Sequence, residues 1–230
     1  MLITWGAGLG IVGPFAIALT ALTGRESFIV VPSTLIARLG LWLGGVRVRV
    51  VGKERFDPKG TYVFTPNHQS LLDPPIVWVH VGTYGRRAGL LIKKEIRKVP
   101  VLGIGVNYVG MLPFDRSDPE DARDAARKAT ESLRAGRSFF VFPEGTRTRD
   151  GTLLPFKKGA FHMAIDAGVP VVPVTIDGAY AAMPRSALRL ERVPITVTFH
   201  EPIPTAGMTE ADVPALLERA HAAVASALTL

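Results

Sequence analysis

Two residues five positions apart, His68 and Asp73, have the types and the spacing that proton transfer requires. His68 follows closely on Tyr62–Thr65, a run of β-branched and aromatic residues that predicts a strand. If the chain turns after that strand, the carboxylate accepts the proton on one ring nitrogen, and the other nitrogen is left to take a proton from a hydroxyl group. General base catalysis of this kind contributes roughly 10²–10⁴-fold in rate. The pair alone is weak evidence, because a histidine at a strand end is more often structural.

A second polar segment, Pro143–Arg147, follows directly on the predicted strand Ser138–Phe142. In open α/β sheets the ligand crevice lies beyond the carboxyl ends of the strands, so this segment and His68 are expected to face one cleft. Gly145 permits a close approach of the backbone to a ligand, and the guanidinium of Arg147 can bind a phosphate through two parallel hydrogen bonds. Taken without its neighbour, the segment is equally well an ordinary polar turn.

Three further cationic residues, Arg116, Lys93 and Lys94, stand next to predicted elements. Arg116 comes just before a predicted helix, and helix N-termini attract anions. The two lysines follow the predicted strand Gly89–Ile92. On local grounds all three are equally well explained as solvated surface residues.

From about residue 46 onwards, short β-rich runs alternate with helical patterns. The clearest helix starts at Ser117, where Glu120 completes a capping-box pattern, and it ends at Gly136. A last amphipathic helix is predicted over 210–227. Such alternation predicts an α/β domain over residues 46–230, with a mostly parallel central sheet flanked by helices on both faces. The other predicted strands are Val46–Val51, Val171–Ile176 and Ile195–Phe199.

Residues 1–45 are strongly hydrophobic and are predicted to form a separate segment. No charged side chain occurs before Arg25, and a second apolar run extends from Phe28 to Leu43. This pattern predicts a helical membrane-associating segment, either with one helix across the bilayer or as a hairpin within one leaflet; a buried core helix is the alternative. The basic residues that follow favour a cytoplasmic position for the rest of the chain, at the cell membrane.

Glycines at positions 8, 10 and 13 in this segment match a dinucleotide-binding fingerprint. That motif requires a preceding strand, and too few residues come before it. Together with Gly6, these glycines therefore indicate close packing of helices.

The composition narrows the classes of function. Hydrophobic residues make up 47% of the chain, and 27 Lys and Arg against 20 Asp and Glu give a net charge of +7. This balance suits an anionic membrane surface or phosphorylated substrates; nucleic acid is disfavoured, because the cations are scattered and not interleaved with aromatic residues. The absence of cysteine excludes a thiolate metal site and a cysteine nucleophile, and the five histidines lie too far apart for a helical zinc motif.

Taken in order, these segments resemble the 1-acylglycerol-3-phosphate acyltransferase family, also called lysophosphatidic acid acyltransferases. The similarity covers roughly residues 60–178. One departure is Pro113, where family members commonly carry a β-branched residue; proline cannot donate a ladder hydrogen bond, so an edge or a turn is expected there. The matching blocks are Asn67–Asp73, Lys93–Glu95, Phe114–Arg116, Phe142–Arg147, Leu154–Phe161 and Gly168–Val174.

The resemblance implies the glycerolipid acyltransferase fold and transfer of a fatty acyl group to the sn-2 hydroxyl of lysophosphatidic acid. The donor would be acyl-CoA or acyl-carrier protein. His68 would be the general base and Asp73 its orienting partner. Since the hydroxyl attacks the acyl thioester directly, no protein nucleophile, metal or other cofactor is expected, and the acyl chain would enter a hydrophobic tunnel near the amino-terminal segment. The residues expected by similarity to bind the acceptor are Glu144, Gly145, Thr146 and Arg147, assisted by Arg116 and by Lys93 or Lys94.

Other functions stay open at this point. The same chemistry could serve another acceptor, such as a different lysophospholipid, a lyso-ornithine lipid or a glycosylated phosphoinositol. A non-catalytic lipid-binding protein on the same sheet is disfavoured, because a binder has no use for a hydrogen-bonded base. A hydrolase is disfavoured by the missing nucleophile.

Overall fold

One sheet organises the part of the chain that the structure describes. The computed structural model describes residues 1–81, 88–115, 117–184 and 189–229. The strands of the sheet are β1 Val48–Val51, β2 Val63–Pro66, β3 Ala88–Lys93, β4 Leu112–Phe114, β5 Ser138–Phe140, β6 Val171–Asp177 and β7 Ile195–Phe199. They lie side by side in the order β1-β7-β6-β2-β5-β3-β4.

Every neighbouring pair in this sheet is parallel except β6 and β7. β2, β3, β4, β5 and β6 therefore end at the same edge. The loops that leave this edge carry the residues singled out by the sequence: the loop after β2 leads to His68, the loop after β5 to Glu144, and the chain after β3 to Lys94. The predicted α/β fold with a mostly parallel sheet is confirmed.

Three strands differ from the sequence prediction by more than one residue. β1 begins at Val48 and not at Val46. β5 stops at Phe140, so Phe142 already belongs to the following loop. β4 was not predicted; it is a three-residue strand around Pro113 that pairs with β3 alone and lies at the end of the sheet. The expectation of an edge at Pro113 is confirmed, since proline is tolerated where a strand has no partner on one side.

Helices cover both faces of the sheet. Successive residues of a strand point to opposite faces, and here Phe64 and Phe140 belong to one buried cluster while Val63 and Phe139 belong to the other. The helices are α1 Leu2–Thr23, α2 Ser27–Leu43, α3 Asp73–Val81, α4 Leu102–Gly105, α5 Pro119–Arg134, α6 Gly159–Ala167, α7 Ala179–Ala182 and α8 Val213–Ala225. Residues of α2 and α3 pack on the first face, and residues of α5, α6 and α8 pack on the second.

The amino end of α5 corrects one detail of the prediction. Asp118, and not Ser117, caps the helix, because its carboxylate accepts the backbone N–H groups of Glu120 and Asp121. The hydroxyl of Ser117 instead donates to Asp115 at 2.5 Å. The prediction of a capping box from Ser117 to Glu120 was therefore wrong, and the helix is capped one residue later, by Asp118.

The helices α1 and α2 form a hairpin whose outer surface is apolar. The indole N–H of Trp5 donates to the carbonyl of Ala37 at 3.4 Å, so the start of α1 lies against the end of α2. Helix α1 has the length and hydropathy to cross a membrane, and only 17% of the relevant window is buried, unlike a core helix. Its exposed apolar side chains include Phe15 at 72% and Leu22 at 84%. The predicted hydrophobic helical segment is confirmed, and it indicates membrane association.

The hairpin is also packed onto the sheet. Ala37 and Leu41 of α2 are buried in the same cluster as Phe64. In the turn between the two helices, Glu26 pairs with Arg137 at 2.6 Å, directly before β5. The boundary at residue 45 therefore separates two sequence patterns, and the division into two domains stays a prediction.

The glycines of α1 divide into two kinds. A Cβ added at Gly8 would lie 2.8 Å from Ile36 of α2, and one at Gly13 would collide with the side chain of Val101. At Gly6 and Gly10 such an atom would meet nothing within 4 Å. The predicted close packing is therefore confirmed for Gly8 and Gly13.

We expect Gly13→Ala to destabilise the protein. Val101 has φ of 64° in a tight turn closed by the Leu102 N–H and the Pro100 carbonyl, so its side chain has little freedom to move away from the added methyl group. Overpacking of this kind costs about 1–3 kcal/mol. Gly10→Ala is the matched control and should be neutral or stabilising, because alanine favours a helix. Thermal unfolding in detergent micelles compares the two variants, and equal melting temperatures would contradict the packing.

Candidate active site

His68 and Asp73 meet as the spacing predicts. The Nδ1 atom of His68 lies 2.8 Å from Oδ2 of Asp73. The histidine side chain is 14% exposed and the aspartate side chain is completely buried. The carboxylate accepts the Nδ1 proton, so Nε2 is the ring nitrogen left with a lone pair. Among the described residues nothing hydrogen-bonds to Nε2, which is therefore available to a substrate.

The turn between the two residues holds Asp73 in place. Its Oδ2 atom also accepts the backbone N–H groups of Gln69 and Ser70, each at 2.7 Å. Asp73 is the first residue of α3, where the helix dipole favours a negative charge. The side chain of Ser70 adds to the turn by donating to the carbonyl of Met183 at 2.7 Å. The backbone thus holds the buried carboxylate in the position from which it orients the histidine.

Two neighbours of the pair were not identified from the sequence. The ring of Phe142 stacks on the imidazole of His68 with centroids 4.2 Å apart. The side-chain amide of Asn67 pairs with the backbone of β6: it donates to the carbonyl of Ile176 at 3.0 Å and accepts the N–H of the same residue at 2.7 Å. Asn67 thereby extends the pairing of β2 with β6 up to the position next to the histidine. Its place inside the Asn67–Asp73 block was the available signal.

Glu144 lies in the same cluster and is 3% exposed. One carboxylate oxygen accepts the backbone N–H of His68, and the other accepts the N–H of Leu154 at 2.9 Å. Burial raises the pKa of Glu144 to about 7; the two backbone hydrogen bonds oppose this shift, and the charge of Asp73 adds to it. The structure thus brings Glu144 next to the pair of His68 and Asp73, as predicted, and its contact with an acceptor stays a prediction.

The loop after Glu144 carries the other predicted acceptor residues. Gly145 has φ of 71°, a conformation that favours glycine, and its N–H donates to the carbonyl of Phe142 at 3.0 Å. Thr146 is exposed and Arg147 is half-buried. Lys157 reaches over this loop, because a Cβ added at Gly145 would lie 3.1 Å from its Nζ atom. Lys157 is therefore a further cation beside the segment. In the sequence it lies within the matching block Leu154–Phe161.

The remaining predicted cations are either exposed or outside the described residues. Lys93 pairs with Glu95 at 2.9 Å, and Lys94 lies 3.7 Å from Asp121 of α5; both lysines are exposed. Lys93 is the last residue of β3 and Lys94 follows it, at the sheet edge that also carries His68. Arg116 lies outside the described residues, so its predicted role stays a prediction. Among the described residues no group of three His, Asp or Glu side chains is arranged to hold a metal ion.

An apolar cavity of about 300 Å³ begins next to Asp73 in the sequence, at Pro74 and Pro75, which form part of its wall. The opposite wall comes from the hairpin, including Trp5 of α1 and Pro32 of α2, while Leu90 of β3 lies between. The cavity has the place and the polarity expected of the hydrophobic tunnel.

Comparison with known proteins places this site in a family. The Acyltransferase family profile matches residues 47–177, more than half of the chain. The human 1-acyl-sn-glycerol-3-phosphate acyltransferase alpha is 34% identical over 89% of this chain and 71% of its own length. The chain belongs to the 1-acyl-sn-glycerol-3-phosphate acyltransferase family. The enzyme of the same name from Limnanthes douglasii is 36% identical over 74% of the chain, a match that spans 59% of that relative.

The fold also matches a solved member of this family. The crystal structure of the 1-acyl-sn-glycerophosphate (LPA) acyltransferase PlsC from Thermotoga maritima superimposes with a TM-score of 0.77 and 26% sequence identity. The superposition covers 98% of this chain and 95% of the other, so it includes the hairpin as well as the sheet. The glycerolipid acyltransferase fold implied by the sequence blocks is confirmed.

We expect Glu144 to make the protein less stable as the pH rises from about 4.5 to about 7. Its pKa is higher in the folded protein than in the unfolded chain, so its carboxyl group binds a proton more tightly when folded. The resulting stabilisation is complete when the pH lies below the ordinary pKa of a glutamate. It is lost as the pH rises through the pKa that Glu144 has in the folded protein. Glu144→Gln removes the titration, so the melting temperature of the wild type relative to this variant should fall between pH 5 and pH 8. A difference that does not change with pH would contradict the assignment.

Proposed function

We propose that this protein transfers a fatty acyl group from an acyl thioester to the sn-2 hydroxyl of 1-acylglycerol-3-phosphate, giving phosphatidic acid. The observation that carries this proposal is the hydrogen bond from His68 to the buried Asp73, between a loop with Arg147 and an apolar cavity. Family membership supports the enzyme class. The identity of the lipid rests on the names of the relatives.

The proposed reaction needs one general base. The Nε2 atom of His68 takes the proton of the sn-2 hydroxyl while the hydroxyl oxygen attacks the thioester carbonyl carbon. The carbon–sulfur bond then breaks, and the proton held by His68 passes to the departing thiolate. Asp73 stabilises the imidazolium that exists between these steps. No protein nucleophile and no cofactor beyond the donor enters the scheme.

The acceptor phosphate is proposed to bind at the loop after β5. Gly145 would let the phosphate approach the backbone closely, Thr146 would offer its hydroxyl, and Arg147 would bind the phosphate through its guanidinium. Arg116 and a lysine at 93 or 94 are proposed to assist from neighbouring strand ends. The predicted contact of Glu144 with the acceptor is the weakest member of this set, because both carboxylate oxygens already accept backbone amides.

The cavity between the hairpin and the sheet is proposed to hold an acyl chain. Its wall begins at Pro74, next to the catalytic aspartate, so a chain lying there would have its carbonyl end near His68. The donor is proposed to be acyl-CoA or acyl-carrier protein. The protein is proposed to work at the cell membrane with its sheet on the cytoplasmic side, which the basic residues after the hairpin favour.

We expect His68→Ala to lower transfer by roughly 10²–10⁴-fold, because the general base is lost. The variant should stay folded with a lower melting temperature than the wild type, since Asp73 loses the imidazole proton but keeps its two backbone hydrogen bonds. A radiolabelled acyl thioester and lysophosphatidic acid in mixed micelles give the rate. Near-normal turnover would sink the mechanism.

The same assay separates the acceptors and donors. Lysophosphatidic acid should be preferred to lysophospholipids whose phosphate carries a second ester, because a phosphate monoester offers Arg147 and its neighbouring cations more negative charge and a third free oxygen. Acyl-CoA and acyl-carrier protein are compared side by side. Preference for a glycolipid or a capped lysophospholipid would favour the alternative acceptors.

We expect Phe15→Glu and Leu22→Glu to weaken membrane binding. Both side chains are largely exposed on the hairpin, so their apolar surface is available to lipid. Loss of each contact should reduce partitioning by about tenfold or more. Flotation with vesicles of phosphatidylethanolamine and phosphatidylglycerol measures the bound fraction. Ala206→Glu, an exposed change of the same charge in the loop before α8, should bind as the wild type; equal binding of all variants would refute the contact.

A further inference from the structure

Glu144 is almost completely buried between two loops. Its exposed fraction is 3%, and its two oxygens accept the amides of His68 and Leu154. A substrate in the cleft therefore meets almost none of its surface. The carboxylate lies within the functional site, yet its partners are backbone groups of the protein itself.

The first of these partners fixes the backbone of the histidine. The N–H of His68 donates to Glu144, and the carbonyl of His68 accepts the N–H of Thr148 at 3.0 Å. Both peptide groups of His68 are thus held by one short segment, residues 144–148. Asp73 sets the direction of the ring, while this segment sets the position of the Cα atom from which the ring projects.

The second partner fixes a loop beside the proposed phosphate site. Leu154 begins the stretch that leads to Lys157, whose N–H donates to the carbonyl of Pro143 at 2.8 Å. The side chain of Lys157 then lies over Gly145. One carboxylate therefore ties the proton-transfer group to the loop that flanks the anion-binding segment.

Glutamate suits this position because both partners are donors. A carboxylate presents an acceptor on each side, whereas glutamine would turn an NH₂ group towards one of the two N–H groups. A buried amide without an acceptor is unfavourable, so the loop would have to shift. A shift at His68 displaces the base from the reacting hydroxyl, and small misplacements of this kind slow catalysis strongly.

We propose that Glu144 is a positioning residue, which joins the backbone of His68 to the loop at Leu154 and acts on the reaction through them without contacting the substrate. This inference rests on the proposed acyl transfer for its kinetic effect. It changes the role that the family resemblance gave to Glu144 from acceptor binding to alignment.

Kinetics and binding together test this role. Glu144→Gln should lower kcat by about 10- to 100-fold, while KM and the directly measured Kd for lysophosphatidic acid stay within about twofold. Calorimetric titration in detergent micelles gives the Kd and the binding stoichiometry, which should equal that of the wild type. Arg147→Ala is the comparison for a phosphate contact and should raise the Kd. Glu131→Gln, the same change on the exposed face of α5, should leave all values unchanged.

Three results would overturn the proposal. They are an unchanged kcat, a Kd raised as in Arg147→Ala, and a stoichiometry that falls in step with kcat, which would mean a loss of folded protein. Glu144→Asp provides a second variant if the glutamine does not fold. It keeps two acceptors on a side chain shorter by one methylene, and it should show a smaller loss of kcat with the Kd again unchanged.

A spectroscopic measurement separates this inference from the proposed reaction. Labelling with ¹⁵N-histidine gives at most five backbone amide signals, and the signal missing in His68→Ala identifies His68. At pH 8 or above, where Glu144 with its pKa of about 7 is mostly charged, the amide proton of His68 should appear far downfield because it donates to a carboxylate, and it should move upfield in Glu144→Gln. An unmoved signal would refute the link. Failure of the wild type to form phosphatidic acid would count against the proposed function alone.

Discussion

The buried carboxylate of Asp73 is the group on which the arrangement of the site depends. A charge removed from water is tolerated when hydrogen bonds replace its hydration. Here the Oδ2 atom receives the imidazole proton of His68 and two amide protons from the intervening turn. The same three bonds that make burial possible also define the tautomer and the direction of the ring. The same hydrogen bonds therefore determine both the position of the His68 ring and which of its nitrogens carries the proton.

A second buried carboxylate, that of Glu144, also accepts backbone amides, and it connects one loop to the next. The turn at His68 is held from within by the hydrogen bonds of Asp73. Through Glu144 and Thr148, it becomes part of the layer of loops beyond β2 and β5. The parallel strands make this possible, because their carboxyl ends lie side by side and their loops emerge at one edge. Asn67 strengthens the same junction towards β6.

The sequence predicted most of the sheet and the central pair, for clear physical reasons. Buried parallel strands appear as short runs of β-branched and aromatic residues, and a His and an Asp around a turn can meet through local geometry alone. The partners of Glu144 could not be predicted, since they are backbone amides at positions 68 and 154 that carry no side-chain signal. The short edge strand around Pro113 was not predicted for a similar reason. Its proline disfavours a strand, and only pairing with β3 creates it. The cap of α5 was misplaced because Ser117 and Asp118 are both good capping residues.

The cavity is formed jointly by the hairpin and by the sheet with its helices. Trp5 and Pro32 belong to the hairpin, whereas Pro75 and Leu90 belong to the sheet and its helices, and the enclosed space exists only when the two parts are packed together. A chimera that joined the hairpin of one relative to the sheet of another would therefore enclose a space found in neither parent. If the cavity holds an acyl chain, as proposed, the preference of such a chimera among acyl chains would be a joint property of both pieces.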